Sequence, residues 1–335
     1  MRSAKILILC VATKHLIGYP VVNNIIFIRM STHMKKNIFA PICLMLSLAI
    51  SPNAMAGAED LINKAEQKAL NATNGVLRSL TSGLTESLKN FESIKYLDIS
   101  VEVQDSLNPA ISITNVNSLF ENTNSAFFNQ NTFTHNNDEQ TINFGLGYRK
   151  LLNNDKLLLG ANIFYDYSFD DNHRRIGAGI EAISSVFDLR GNIYEAESDI
   201  MTMTNGGTEE ALDGWDARLD YHIPVGFDLR VFGTYFDWEN KANTYENKGE
   251  QYGIAGQYGL VKFEVGYRDE ENRKKDAFGK ISLVVPLGSV ATSGVISRGM
   301  LELVSVRDQM YEPVERENRI RVVKISAGNI VVSGF

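Results

Sequence analysis

Beyond its first 56 residues this chain has no cysteine, only three histidines and no run of 18 apolar residues. Each absence closes a route. Without such a run, a helical membrane span is excluded from the body of the chain. Without cysteine, no disulfide can form or mispair in an oxidising compartment. Neither a His-x-x-x-His pair nor a regular Asp-x-Asp-x-Asp-Gly loop occurs, so no zinc or calcium site is expected, and no cofactor. Gly145-Leu146-Gly147 and Gly177-Ala178-Gly179 resemble pieces of nucleotide loops but lie inside strand patterns without the helix such loops need. Positive charge is scarce as well. Of the 33 Lys and Arg, six fall within the first 56 residues, which hold no Asp or Glu; the other 27 face 40 acidic residues, a net charge of −13. A chain this acidic has no electrostatic attraction to nucleic acid.

The basic N-terminal stretch has its own grammar. Lys35-Lys36, an apolar core from Ile38 to Ile50, a break at Pro52 and Ala54-Met55-Ala56 make a secretory signal with an A-x-A site. Cleavage is expected after Ala56, so that the mature chain starts at Gly57. Residues 1–33 are expected to be an extension ahead of the true start at Met34, and 34–56 the signal peptide. Over 57–92, Leu61, Ala65, Ala69, Ala72, Val76, Leu80, Leu84 and Leu88 recur every three or four positions, which predicts an amphipathic periplasmic helix.

Mean hydropathy of −0.14 would suit a soluble protein. A transmembrane barrel evades such an average because half of every strand is polar. From Tyr96 to Leu287 apolar and polar residues alternate over about ten positions and then turn, again and again. In Trp215-Asp216-Ala217-Arg218-Leu219-Asp220-Tyr221-His222-Ile223 the odd positions are apolar and the even ones polar. Twelve strands are predicted: 96–104, 110–119, 125–134, 141–151, 157–169, 174–184, 186–197, 214–224, 226–238, 250–258, 261–270 and 276–287. The second and third are weakly patterned, being rich in Asn and Thr, and are kept because bacterial single-chain barrels have an even strand count. The connections sort by parity. Most odd ones are long and polar, whereas the even ones are tight, such as Asn153-Asn154-Asp155 and Pro224-Val225-Gly226. Short inner turns and long outer loops characterise outer-membrane barrels; a soluble sandwich has no reason to sort its loops so.

One strand face then collects charge of both signs: Arg149, Asp166, Arg175, Glu181, Asp188, Arg190, Asp216, Arg218, Asp220, Arg230, Lys262, Glu264, Arg268 and Lys280. A Lys or Arg facing lipid at the midplane costs about 2–4 kcal/mol, so these residues are expected to line a lumen and pair across strands. Aromatics near strand ends (Phe164, Tyr165, Tyr167, Phe169, Tyr194, Trp215, Tyr221, Tyr235, Phe236 and Trp238) are expected to form two girdles at the membrane surfaces.

The segment GANIFYDYSFDDNHRRIGAGIEAISSVFDLRGNIYEA starting at Gly160, with Glu209–Pro224 (EEALDGWDARLDYHIP) and Val261–Arg268 (VKFEVGYR), resembles the inverse autotransporter barrel of the intimin and invasin family. Arg298–Arg321, with Val314-Glu315-Arg316-Glu317-Asn318, is similar to the stretch after that family's last strand. The resemblance covers about 140–320. It implies a twelve-stranded barrel over 96–288 in the outer membrane, with outer-membrane lipids and the barrel-assembly machinery as partners; the segment 57–92 reads as a helix packed on a neighbour, a plug or the contact of a homodimer. The resemblance also implies a linker that returns through the lumen to hold an adhesive passenger outside. Residues 289–335 are too few for even one immunoglobulin-like domain of about 100 residues, so host-receptor binding is not expected to transfer. They read as a linker and a truncated tail with a hairpin around Ser326-Ala327-Gly328-Asn329: a displayed tip, a periplasmic tag or the remnant of a broken gene.

Two other functions stay open. One is a small porin-like channel. The other is a barrel enzyme, for which His173, beside Asp170 and Asp171, is the one tempting cluster; a solvated loop is the plainer reading. His222 is expected to face the lumen and bond to a neighbour. N-terminal sequencing of the protein recovered from outer membranes is expected to begin at Gly57; a start upstream of Ala54 would overturn the assigned cleavage site.

Overall fold

The computed structural model describes residues 92–335 apart from 105–106, 137–138, 171, 204–206, 226, 242–244, 272, 286, 288–300, 327–328 and 334–335. The expected signal peptide, the segment before it and all but the last residue of the expected helix lie outside the described residues.

Strands form where the alternation is. In chain order they are β1 (Ile94–Gln104), β2 (Leu107–Glu121), β3 (Ser125–Asn136), β4 (Glu139–Leu152), β5 (Leu157–Ser168), β6 (Arg174–Ser184), β7 (Phe187–Ala196), β8 (Met201–Thr202) and β9 (Thr208–Ala211). Then come β10 (Asp213–His222), β11 (Asp228–Glu239), β12 (Glu246–Tyr258), β13 (Val261–Glu270), β14 (Asp276–Val284), β15 (Val322–Ser326) and β16 (Asn329–Ser333). Twelve of them, β1–β7 and β10–β14, pair antiparallel with their neighbours and close into a barrel. The seam joins β1 to β14 from Asp98↔Val284 to Gln104↔Phe278, so the wall has no free edge. Closure is what allows a sheet to sit in lipid, since an open edge would leave N–H and C=O groups without partners.

All twelve predicted barrel strands are present, with ends moved by a few residues. In β7 the alternation is plain: Leu189 and Ile193 are 57% and 64% exposed, while the alternate residues Asp188, Arg190 and Asn192 are buried. The weak patterning of β2 and β3 has a physical origin. Asn129 and Asn131 stand opposite Leu146 and Phe144, on the outer side of the wall, and Asn115 and Asn117 stand opposite Asn131 and Asn129. There Asn117 donates to Asn129 (2.7 Å) and Asn129 to Asn131 (2.9 Å). Amides that hydrogen-bond to one another replace the aliphatic residues used elsewhere, and so erase the apolar signal.

Turn chemistry follows the sequence. Asn153, Asn154 and Asp155 all adopt positive φ (52°, 54° and 67°), a region Asn and Asp tolerate better than other side chains. The connection between β7 and β10 is long enough to hold strands of its own. There β8 and β9 pair with β15 and β16 in a separate sheet of order β16-β15-β9-β8. The predicted tail hairpin therefore exists and lies on a long connection, at the opposite end from the short turns.

The girdle expectation needs correcting. Trp215 and Tyr235 stack on the outer wall at 5.5 Å, and Tyr252 and Tyr267 at 6.3 Å. Phe164, Tyr194, Phe236 and Trp238, however, are all under 5% exposed. They occupy inward positions of the two-residue repeat, and nearness to a strand end does not decide which side a ring faces.

Ile180 is 70% exposed and sits mid-strand on the outer side of β6. Ile180→Arg is expected to lower the stability of the barrel refolded into liposomes by about 2–4 kcal/mol. A guanidinium titration showing no loss would mean that this wall does not face lipid.

Candidate functional site

The lumen is occupied by the chain itself. At the end carrying the short turns, Ser185, between β6 and β7, receives the Val304 N–H on its hydroxyl (2.9 Å). Val306 N–H donates to Asp155 C=O (2.7 Å). Arg307 forks onto the Asp155 carboxylate (2.9 and 3.0 Å) and donates to Thr123 C=O (2.7 Å). A single 3-10 turn follows, Arg307–Tyr311. From there the chain crosses the barrel. Gln130 on β3 mimics a strand partner, accepting the Val314 N–H at 2.7 Å. Asn192 on β7 donates to Glu315 C=O (3.2 Å), and the Tyr194 hydroxyl accepts the Glu317 N–H (2.8 Å). Asn143 on β4 donates to Asn318 C=O (2.7 Å). At the long-loop end Arg319 reaches Glu102 (3.0 Å), Leu212 N–H donates to Arg321 C=O (2.9 Å), and β15 begins.

The tightest knot lies midway. Asp166 on β5 takes a two-pronged contact from Arg316 (2.9 and 2.7 Å), a third donor from Arg175 Nε (2.9 Å) and a fourth from Asn143 (2.8 Å). Neither carboxylate nor guanidinium has solvent to rely on: Asp166 and Arg175 are wholly buried. Such a burial holds only if nearly every polar atom is paired. The guanidinium planes are covered by rings. Arg316 lies 4.3 Å from the Phe164 centroid, and Arg175 lies 4.5 Å from that of Tyr194. Gly177 leaves room for this grip: a Cβ there would lie 2.7 Å from Arg316 Nη2, and the guanidinium would have to shift.

The residues predicted for the lumen are arranged as follows. Arg149 pairs with Glu181 (2.6 Å) and donates to Met310 C=O (3.1 Å). Arg190 bridges Asp188 (3.1 Å) and Asp220 (2.9 Å), and Arg230 lies 3.9 Å from each of the same two carboxylates. Arg218 reaches Asp220 (3.0 Å) and Glu264 (3.1 Å). Asp216 accepts from Tyr194 (2.6 Å) and Asn192 (2.8 Å). Lys262 pairs with Glu312 of the threaded segment, and Arg268 lies 3.9 Å from Glu317. Lys280 stands in register with Glu102 on one neighbour strand and Glu264 on the other. The threaded segment adds Glu312, Glu315, Arg316, Glu317, Arg319 and Arg321, of which the resemblance had pointed to the stretch and not to the pairings. Their alternating charge was the available signal.

His222 sits 3.0 Å from Asp188 and 3.5 Å from Asp228. His173 has other partners than its sequence neighbours. Its Nδ1 meets Ser198 Oγ (2.9 Å) and its Nε2 meets Glu209 Oε1 (2.8 Å), while Asp170 accepts the Gln140 N–H instead. Serine, histidine and glutamate in line suggest a hydrolytic relay. Here the serine is 2% exposed, and the second oxygen of Glu209 faces Lys324 Nζ at 3.0 Å. Among the described residues no group of three or more His, Cys, Asp or Glu is placed to hold a metal ion.

A closed twelve-strand antiparallel barrel with an apolar outer wall and a charged, filled interior is an outer-membrane β-barrel. The sequence matches the inverse autotransporter β-domain family over residues 49–318, and the chain belongs to that family. It is an outer-membrane barrel of the anchor and translocator type. Among solved structures, a barrel from a study of in-meso crystallization of membrane proteins is 20% identical, with a TM-score of 0.58 over 69% of this chain and 100% of its own. The KdgM porin is 8% identical, with a TM-score of 0.41 over 58% of this chain and 99% of its own. The NanC porin is 11% identical, with a TM-score of 0.41 over 57% and 100%. No curated protein matches the chain.

Asp166→Asn would strand two buried guanidinium groups. It is expected to destabilise the folded barrel by about 3–5 kcal/mol, the usual cost of breaking a buried pair from one side. Guanidinium unfolding followed by tryptophan emission measures it; a change under about 1 kcal/mol would show the knot to be solvated.

Proposed function

We propose that the protein is exported through a signal peptide cleaved after Ala56 and inserted by the barrel-assembly machinery. Once in the membrane it anchors its own C-terminal segment, threaded through the lumen and held at the outer face. The observation that carries this reading is the path of residues 304–321, tied to the short turns at one end and to the long connections at the other, with charge pairs between. Long connections face outward in outer-membrane barrels, which gives the thread its direction. The barrel is read as non-enzymatic, because the polar groups around His173 are engaged in holding the tail.

A porin-like channel is the competing reading. Planar-bilayer recording separates the two. Intact protein is expected to give small conductance, and a variant lacking 302–335 a large and steady one. Large steady conductance from the intact protein would favour the channel.

A further inference from the structure

The threaded segment does more than leave the barrel. β15 is seated on β9 in antiparallel register, with Val322↔Ala211, Val323↔Glu210, Lys324↔Glu209 and Ile325↔Thr208. Its alternate residues meet two different surroundings. Val323 is wholly buried in a cluster with Tyr194, Leu212, Phe236, Trp238 and Tyr245. Lys324 faces the Glu209 carboxylate. That carboxylate is held in place from behind: His173 donates to Oε1, and Ser198 fixes the other ring nitrogen. Glu210 is bound just as firmly, by the Asn240 side chain (3.0 Å) and the Lys241 N–H (2.8 Å). The supports of these two carboxylates come from the connections after β5, β7 and β11, and none of them is a donor to Asp166.

We propose that β9, with His173 and Ser198 behind it, is a strand-receiving catch: a binding site on the outer rim for an extended polypeptide carrying small apolar residues followed by a lysine, filled in cis by Val322–Ser326. Backbone pairing along β9 supplies affinity without regard to sequence. The pocket around Val323 and the buried Glu209 supply selection, since an occupant lacking the lysine would leave that carboxylate buried without its cation. The catch rests on the threaded reading above and adds a second hold to it, one that reads the sequence of the exported segment.

The mature chain lacks cysteine, so Val332→Cys gives a single site for a nitroxide label on the hairpin of the otherwise full chain. In the parent the label is expected to be immobile. Glu209→Gln and Lys324→Met, each conservative in size, are each expected to raise the mobile fraction about tenfold, the worth of one charge-assisted hydrogen bond. The double variant is expected to be no more mobile than the looser single one. Acid supplies a second reading of the same contact. The groups facing Glu209 are Lys324 from β15 and His173 from the β5–β6 connection. Burial pushes the Glu209 carboxyl up, but Lys324 and His173 outweigh it and hold it below its ordinary value of 4.5. A lowered carboxyl stabilises the contact above that value and loses it as pH falls below, so the label is expected to loosen under about pH 4.5. Singles as immobile as the parent, effects that simply add, or no acid loosening would each overturn the catch. Conductance tells the two proposals apart: low conductance with a mobile or indifferent label leaves the threaded reading standing, whereas high conductance removes it.

Discussion

Hydrocarbon offers a peptide group nothing to bond to, and the fold answers to that constraint first. The β1–β14 seam completes a ladder in which each wall strand has two neighbours. Once the wall is closed, the two-residue period of the strand forces a division: one set of side chains meets lipid and the other meets whatever fills the interior. Every charge at membrane depth in the wall then has one admissible side.

Sending the charges inward creates a second problem. Barrels of about eight strands can be filled by their own side chains, whereas those of sixteen or more leave an aqueous channel. Twelve strands fall between, and this barrel fills the difference with its own polypeptide. The returning segment carries both acids and bases, so it can pair with cations such as Lys262 and Arg268 and with anions such as Asp166 and Glu102. A segment of one sign could not. Rings from the inner wall cover the guanidinium planes, which explains why Phe164, Tyr194, Phe236 and Trp238 are turned away from the membrane surfaces.

Legibility in the sequence tracked the strength of local periodicity. β4, β7 and β10 could be read almost to their ends, since each residue's side is set by its neighbours in the chain. β2 and β3 were nearly lost, because an Asn cluster on the outer side, hydrogen-bonded within β3 and across to β2, mimics a loop composition. The inward charges were identifiable one by one, but not their partners. Asp166 meets Arg316, 150 residues away, through a register of strands and a thread whose position no local pattern encodes. His173 shows the same limit: its neighbours Asp170 and Asp171 drew attention, while Ser198 and Glu209 bind it.

Composition and alternation by themselves settled that this chain makes a strand barrel, where its strands run and which side of each holds charge. Those properties depend on the two-residue repeat and on the cost of placing charge in lipid, both of which act locally. The individual contacts along residues 304–321, the fourfold grip on Asp166 and the docking of β15 on β9 were decided by tertiary structure alone. Each joins groups far apart in the chain, and pairing at that distance depends on how the closed wall brings them together.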